Sequence, residues 1–135
     1  MKKLTSQEAF LLAKSFRDLS VSLGDYRFEN WDQLTDKQRK AIEDAEWSLL
    51  NASADIRTVA VGLVLDETQL SYENLQQTTS DAKQAVGFLE NVRKVIGIAA
   101  AAVSLAGAVI SLDYGAIVKT AKGLYDAITT NRTKA

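Results

Sequence analysis

Between Val95 and Leu112 the chain reads VIGIAAAAVSLAGAVISL, eighteen residues without a charge, a proline or anything more polar than serine. Such a span has to be kept from water, either in a bilayer or among other helices. Its Val, Ile and Leu number eight. At about −0.3 to −0.6 kcal/mol each they contribute roughly −2 to −5 kcal/mol to insertion before the small and polar residues subtract, which is marginal. The patterning favours packing. Ala82, Ala85, Leu89, Val92, Ile96, Ala99, Val103, Ala106 and Ile110 step by threes and fours, in one heptad phase that crosses from a charged half into the apolar half. A segment facing lipid has no need to keep that phase.

The remainder of the chain supplies helices for this span to pack against. Its 135 residues suit one domain, and the absence of proline, with only seven glycines, leaves few breakers. Thr5 and Glu8 stand at capping-box spacing ahead of Ala9, Leu12, Ala13, Phe16, Leu19 and Leu23, which predicts a helix over about 5–23 with Gly24 as its stop. A second capping box at Thr35 and Gln38 opens a helix over about 36–65, with the seam Ile42, Ala45, Leu49, Ala52, Ile56, Val59 and Leu63. A further stripe of Trp47, Leu50, Ala54, Val61 and Val64 predicts that this helix touches a second neighbour. Weak helix formers at Thr78 and Thr79 predict a break, with a new helix over about 81–112 and room for a short extra one near 67–76. Tyr114, Ile117, Ala121, Leu124 and Ile128 share a face of a last helix over about 114–129, and the polar tail 129–135 is expected to fray. The expectation is an all-α, antiparallel helical bundle of four main helices, forming a single domain over 1–135.

Composition narrows the function mainly by what is missing. With no Cys and no His, the chain has no thiolate, no imidazole base and no usual zinc ligand. Glu43 and Glu46 sit one turn apart, as carboxylate-bridged metals require, but helical di-iron sites pair Glu with His. A charged face near the start of a helix explains the pair better. Ser80 and Lys83 match a bare Ser-x-x-Lys spacing without its companion motifs, and GAIVKT at 115–120 lacks the glycine and the strand of a phosphate loop. No enzyme, no cofactor and no metal site is therefore expected. Net charge is −1 and the basic residues of the last third are spread around its helices, so nucleic acid is not an expected partner. The N-terminus starts like a signal peptide, but Gln7, Glu8 and Lys14 interrupt its apolar run, which predicts a cytoplasmic location.

Two groups of residues stand out as binding candidates. Ile98, Leu105 and Leu112 recur every seven residues, nearly opposite the heptad seam. With Ala101, Ser104 and Ala108 they predict a smooth apolar strip, exposed unless the last helix covers it, where a protein partner or a second copy docks. Tyr26, Phe28 and Trp31 lie in the connector DYRFENWDQL, either as loop contacts or as plugs for the end of the bundle. The reading is a non-catalytic interaction protein that acts by helix-face docking and self-associates as a homo-oligomer. The alternative is membrane association. The Ala/Gly-rich helix followed by one bearing Lys119 and Lys122 resembles, over about 86–128, the membrane-inserting hairpins of α-helical pore-forming toxins. That resemblance implies a hairpin over about 95–128 that leaves the bundle and inserts.

Overall fold

The computed structural model describes residues 1–88 and 91–129. Five helices account for the architecture: α1 Ser6–Glu29, α2 Asp36–Val59, α3 Tyr72–Phe88, α4 Val92–Ile110 and α5 Tyr114–Thr129. The fold is an all-α bundle, as expected. A two-stranded antiparallel ribbon, β1 Lys2–Lys3 against β2 Val64–Leu65, ties the first residues to the end of the α2 segment.

Both capping boxes form. The Thr5 hydroxyl accepts from the Glu8 N–H at 3.0 Å while the Glu8 carboxylate accepts from the Thr5 N–H at 2.9 Å, and Thr35 and Gln38 repeat the exchange at the head of α2. Glu8 also takes an ion pair from Lys2 at 2.8 Å. That hydrogen bond, followed by the one from Thr5, holds the Glu8 carboxyl below the usual glutamate range.

α1 and α2 form an antiparallel hairpin: Ser20 donates to the Glu46 carbonyl at 3.0 Å, and Arg27 near the end of α1 meets Glu43 and Glu46 near the start of α2. On one flank α3 packs along α1 in the same direction, with Tyr72 donating to the Glu8 carbonyl and Gln76 to the Ser15 hydroxyl. On the other flank α4 packs along α2, and α5 lies between α4 and α3. The fully buried side chains Leu12, Phe16, Leu19, Ile42, Leu49, Ile56, Leu75, Ile98 and Leu105 fill the interior.

Several expected boundaries are corrected. α1 does not stop at Gly24 but runs five residues further, to Glu29. Gly24 serves close packing instead, because a Cβ there would lie 2.9 Å from the Glu46 Oε1. α2 ends at Val59, not Leu65; the chain turns through a 3₁₀ segment, Ala60–Gly62, into β2. The β-branched Val59, Val61 and Val64 around Gly62 suit that extended exit better than a helix.

The break expected near Thr79 is absent. Thr79 is fully buried within α3, and its hydroxyl donates to the Leu75 carbonyl at 3.0 Å, so its polar atom is satisfied by its own helix. The short helix expected near 67–76 is in fact the approach to α3 and its first turn, and the expected helix over 81–112 is divided between α3 and α4. Asn91 begins the second piece by accepting from the Arg93 and Lys94 N–H groups at 3.0 and 3.4 Å. Leu89 of the expected heptad seam, and the tail beyond Thr129, lie outside the described residues.

Candidate functional site

The expected strip on α4 is not a surface. Ile98 and Leu105 are both 0% exposed, and Ala108 is buried with them, while Ala101 is half-buried. Burial on α4 is centred on Val95, Ile98, Ala102, Leu105 and Val109, one residue out of phase with the expected seam. The reason is that two neighbours, α2 and α5, pack against the helix. One residue is a rotation of about 100° in a helix, so an expectation built on a single neighbour points the wrong face outward. The residues left facing solvent are Arg93, Gly97, Ala100, Ser104 and Gly107.

Leu112 is exposed at 42%, but it does not continue the row. The helix has ended at Ile110, and Leu112 takes φ 55°, the left-handed position of a C-terminal cap in which the Asp113 N–H reaches back to the Ala108 carbonyl.

Several of the large apolar side chains that face water lie on the α1–α2 hairpin, while Val64, Leu112 and Tyr125 are exposed elsewhere. Phe10, Val21 and Phe28 recur along the outward side of α1, and Trp47 and Leu50 along that of α2. Trp31 stands on the 3₁₀ turn Trp31–Gln33 that joins the two helices. Phe28 at 68% and Trp47 at 60% are more exposed than rings of their size normally are. The second stripe expected on α2 is therefore corrected: Trp47, Leu50 and Ala54 face solvent, and only Val61 of that set is half-buried against the core.

Guanidinium groups accompany these rings. Arg57 lies 5.2 Å from the Phe10 centroid, Arg27 lies 4.7 Å from Phe28, and Arg39 lies 4.6 Å from Trp31. Phe28 and Trp31 stack at 6.1 Å with their planes 14° apart. Arg39 is fixed by two hydrogen bonds to the Trp31 carbonyl, at 3.0 and 2.6 Å, and by Asp36 at 2.7 Å. Arg27 is fixed by Glu46, whose two oxygens accept at 2.6 and 3.3 Å. This fork, with little of either side chain exposed, raises the Arg27 pKa, the hydrogen bond to Glu46 being the leading cause.

Of the connector residues, Phe28 and Trp31 are thus brought together as one exposed stack. Tyr26 is not a loop contact: it lies inside α1, is buried, and its hydroxyl has no partner among the described residues. Burial pushes its pKa up. Glu43 and Glu46 are both turned toward Arg27, and among the described residues no group of three or more potential metal-ligating side chains assembles.

A second feature is an open groove of about 490 Å³ between α3 and α5. Asn74, Gln77, Thr78 and Asp81 line one wall, and Val118, Lys122 and Tyr125 line the other. The Asp81 carboxylate already accepts from Gln77 at 2.8 Å. The groove offers amides and hydroxyls for hydrogen bonding.

What can this arrangement do? Rigid aromatic rings braced by oriented arginines bury large area at low entropic cost, and such groups dominate the energetics of protein interfaces. Sequence reasoning missed Phe10, Trp47 and Arg57. The signal was present in the spacing of Phe10, Arg17, Val21 and Phe28 by seven, four and seven, which sets these residues on one side of α1, away from its core residues. Comparison of the chain with protein-family models, with curated proteins and with solved structures finds no match.

Proposed function

We propose that the protein is a non-catalytic interaction module that docks a protein partner against the outward face of the α1–α2 hairpin. One observation carries the reading: Phe10, Val21, Phe28, Trp31, Trp47 and Leu50 are all exposed on this hairpin, with arginines held over three of the rings. Burying such a face is favourable at about 25 cal/mol per Å² of apolar area, and the pre-set rings lose little freedom on binding. Nothing in the mechanism requires a cofactor or nucleic acid, and its natural setting is the cytoplasm.

The membrane-active alternative rests on α4, which is long and apolar enough to cross a bilayer. It demands that α4 leave both α2 and α5, exposing Val95, Ile98, Leu105 and Val109 on the way. The face α4 already presents to solvent offers lipid a charged Arg93 and otherwise only small side chains.

A photo-crosslinking amino acid introduced at Trp47, and in a control at the exposed Lys37, tests the proposal in living cells. The Trp47 position is expected to form a discrete protein adduct that the Lys37 position does not. Absence of any adduct at Trp47, or equal labelling at both positions, overturns the docking reading. Lipid labelling from a crosslinker at Leu105 supports the membrane alternative in its place.

A further inference from the structure

Two guanidinium groups on the hairpin face stand without a counter-ion. Arg17 of α1 and Arg57 of α2 are both exposed, and both line one groove of about 170 Å³ between the two helices. No carboxylate is among the residues that line it. The third cation there, Lys14, is matched by Asp18 at 3.0 Å. Neither Arg17 nor Arg57 makes a hydrogen bond or ion pair among the described residues; Arg57 has only the Phe10 ring, 5.2 Å away. Arg27 and Arg39, by contrast, each lie against a carboxylate, at 2.6 and 2.7 Å.

From this we infer that the partner of the hairpin face brings an acidic segment, whose carboxylates seat in this groove against Arg17 and Arg57. The inference rests on the docking reading above and gives the partner its chemistry.

Like charges brought to one groove repel each other. An incoming carboxylate removes that repulsion and accepts N–H donors that nothing else uses. A guanidinium also matches a carboxylate two oxygens at a time. Other groups in the groove do not compete for this role. The Ser53 hydroxyl already donates to the Leu50 carbonyl at 2.7 Å, and the Phe10 ring attracts the Arg57 charge but leaves its hydrogen bonds unmade.

Size and surroundings select a protein segment over other anions. Small-molecule pockets run to roughly 300–1,000 Å³. A groove of about 170 Å³ takes a side chain or two, not a whole cofactor. Nucleic acid needs cations repeated along a backbone track. Here the hairpin continues from Arg17 to the exposed Val21, Leu50 and Trp47, and then to Glu43. A cationic groove next to an apolar surface suits a segment in which Asp or Glu stands beside large apolar side chains.

Two fluorescein-labelled peptides serve as probes. Each is an amphipathic helix with a leucine face, bordered by glutamates in one and by glutamines in the other. The full-length wild type should bind the glutamate peptide about tenfold more tightly, the effect of two exposed charge contacts. Arg17→Gln with Arg57→Gln should erase that preference. Lys37→Gln with Lys40→Gln, two exposed cations outside the groove, should keep it. All four positions are exposed, and thermal melts check that both variants fold.

A wild type without the preference overturns the inference, as does a preference that survives the loss of both arginines. So does a single-stranded oligonucleotide that displaces the labelled glutamate peptide more readily than the unlabelled peptide does, because the groove then reads phosphate. The crosslinker at Trp47 separates this inference from the docking reading. A lower adduct yield in the Arg17→Gln, Arg57→Gln protein supports the acidic segment. An equal yield overturns it and leaves docking standing, and no adduct in either protein removes both. An adduct between two copies of the chain assigns the face to self-association and overturns the inference.

Discussion

Leu105→Asp is expected to abolish folding, whereas Leu112→Asp, seven residues later in the same apolar span, should leave stability within about 0.5 kcal/mol of wild type. Leu105 is fully buried on α4, in a helix enclosed by α2 and α5. A carboxylate there loses the packing of the leucine, at about 2–5 kcal/mol, and also carries an unpaired charge into an apolar site. The combined cost is comparable to the roughly 5–15 kcal/mol that keeps a domain folded. Leu112 differs in two ways: it is 42% exposed, and its φ of 55° is a conformation that Asp tolerates better than Leu. Circular dichroism melts check both variants. Were the strip Ile98, Leu105 and Leu112 a solvent-facing docking surface, the two would behave alike.

The second large effect concerns the fork between Arg27 and Glu46. Glu46→Ala leaves the Arg27 guanidinium without its bidentate partner, only 11% of that side chain being exposed. Removing one member of a fully buried pair costs about 3–5 kcal/mol. Here Glu43, 4.0 Å away, and residual solvent reduce the penalty. A loss of about 2–3 kcal/mol is expected, or roughly 7–10 °C in Tm for a domain of this size. Replacing both partners, as Arg27→Met with Glu46→Leu, should return much of that loss, because no charge is then left unmatched. The same double change should strip the guanidinium from the Phe28 ring, 4.7 Å away, and from the Trp31 ring, 5.9 Å away, while leaving the contact of Arg39 with Trp31. A double variant as unstable as Glu46→Ala alone would mean that the fork is not the source of the effect.

The elements best foretold are those governed by local chemistry. Thr5 and Thr35 mark helix starts because the groups that satisfy the free N–H donors lie three residues away in sequence. Elements governed by distant neighbours were not foretold. Gly24 reads as a stop until Glu46 is known to press against it from α2. Thr79 reads as a breaker because its helix propensity is modest, yet its place in the interior is decided by neighbouring helices and its hydroxyl is satisfied within its own.

Asn91 is a different failure. It is a good capping residue, but it lies inside what reads as one continuous heptad run from Ala82 to Ile110. That same continuity set the phase of α4 wrongly by one residue, which was enough to turn Ile98 and Leu105 from core into surface. The exposed apolar face of the hairpin went unnoticed for the complementary reason. Trp47 and Leu50 look like a second core stripe, and nothing local to α2 reveals that they stay exposed.

The central claim is that the uncharged span is interior and that the apolar surface lies elsewhere, on the α1–α2 hairpin. The chain has no cysteine, so a single introduced thiol is unique. Ala102 and Ser104 are two residues apart on α4, the first fully buried and the second exposed. Measured with a water-soluble disulfide reagent, Ser104→Cys should react nearly as fast as an unfolded thiol. Ala102→Cys should react at least about a thousandfold more slowly, through opening of the bundle. Equal rates at the two positions, fast or slow, would contradict the account.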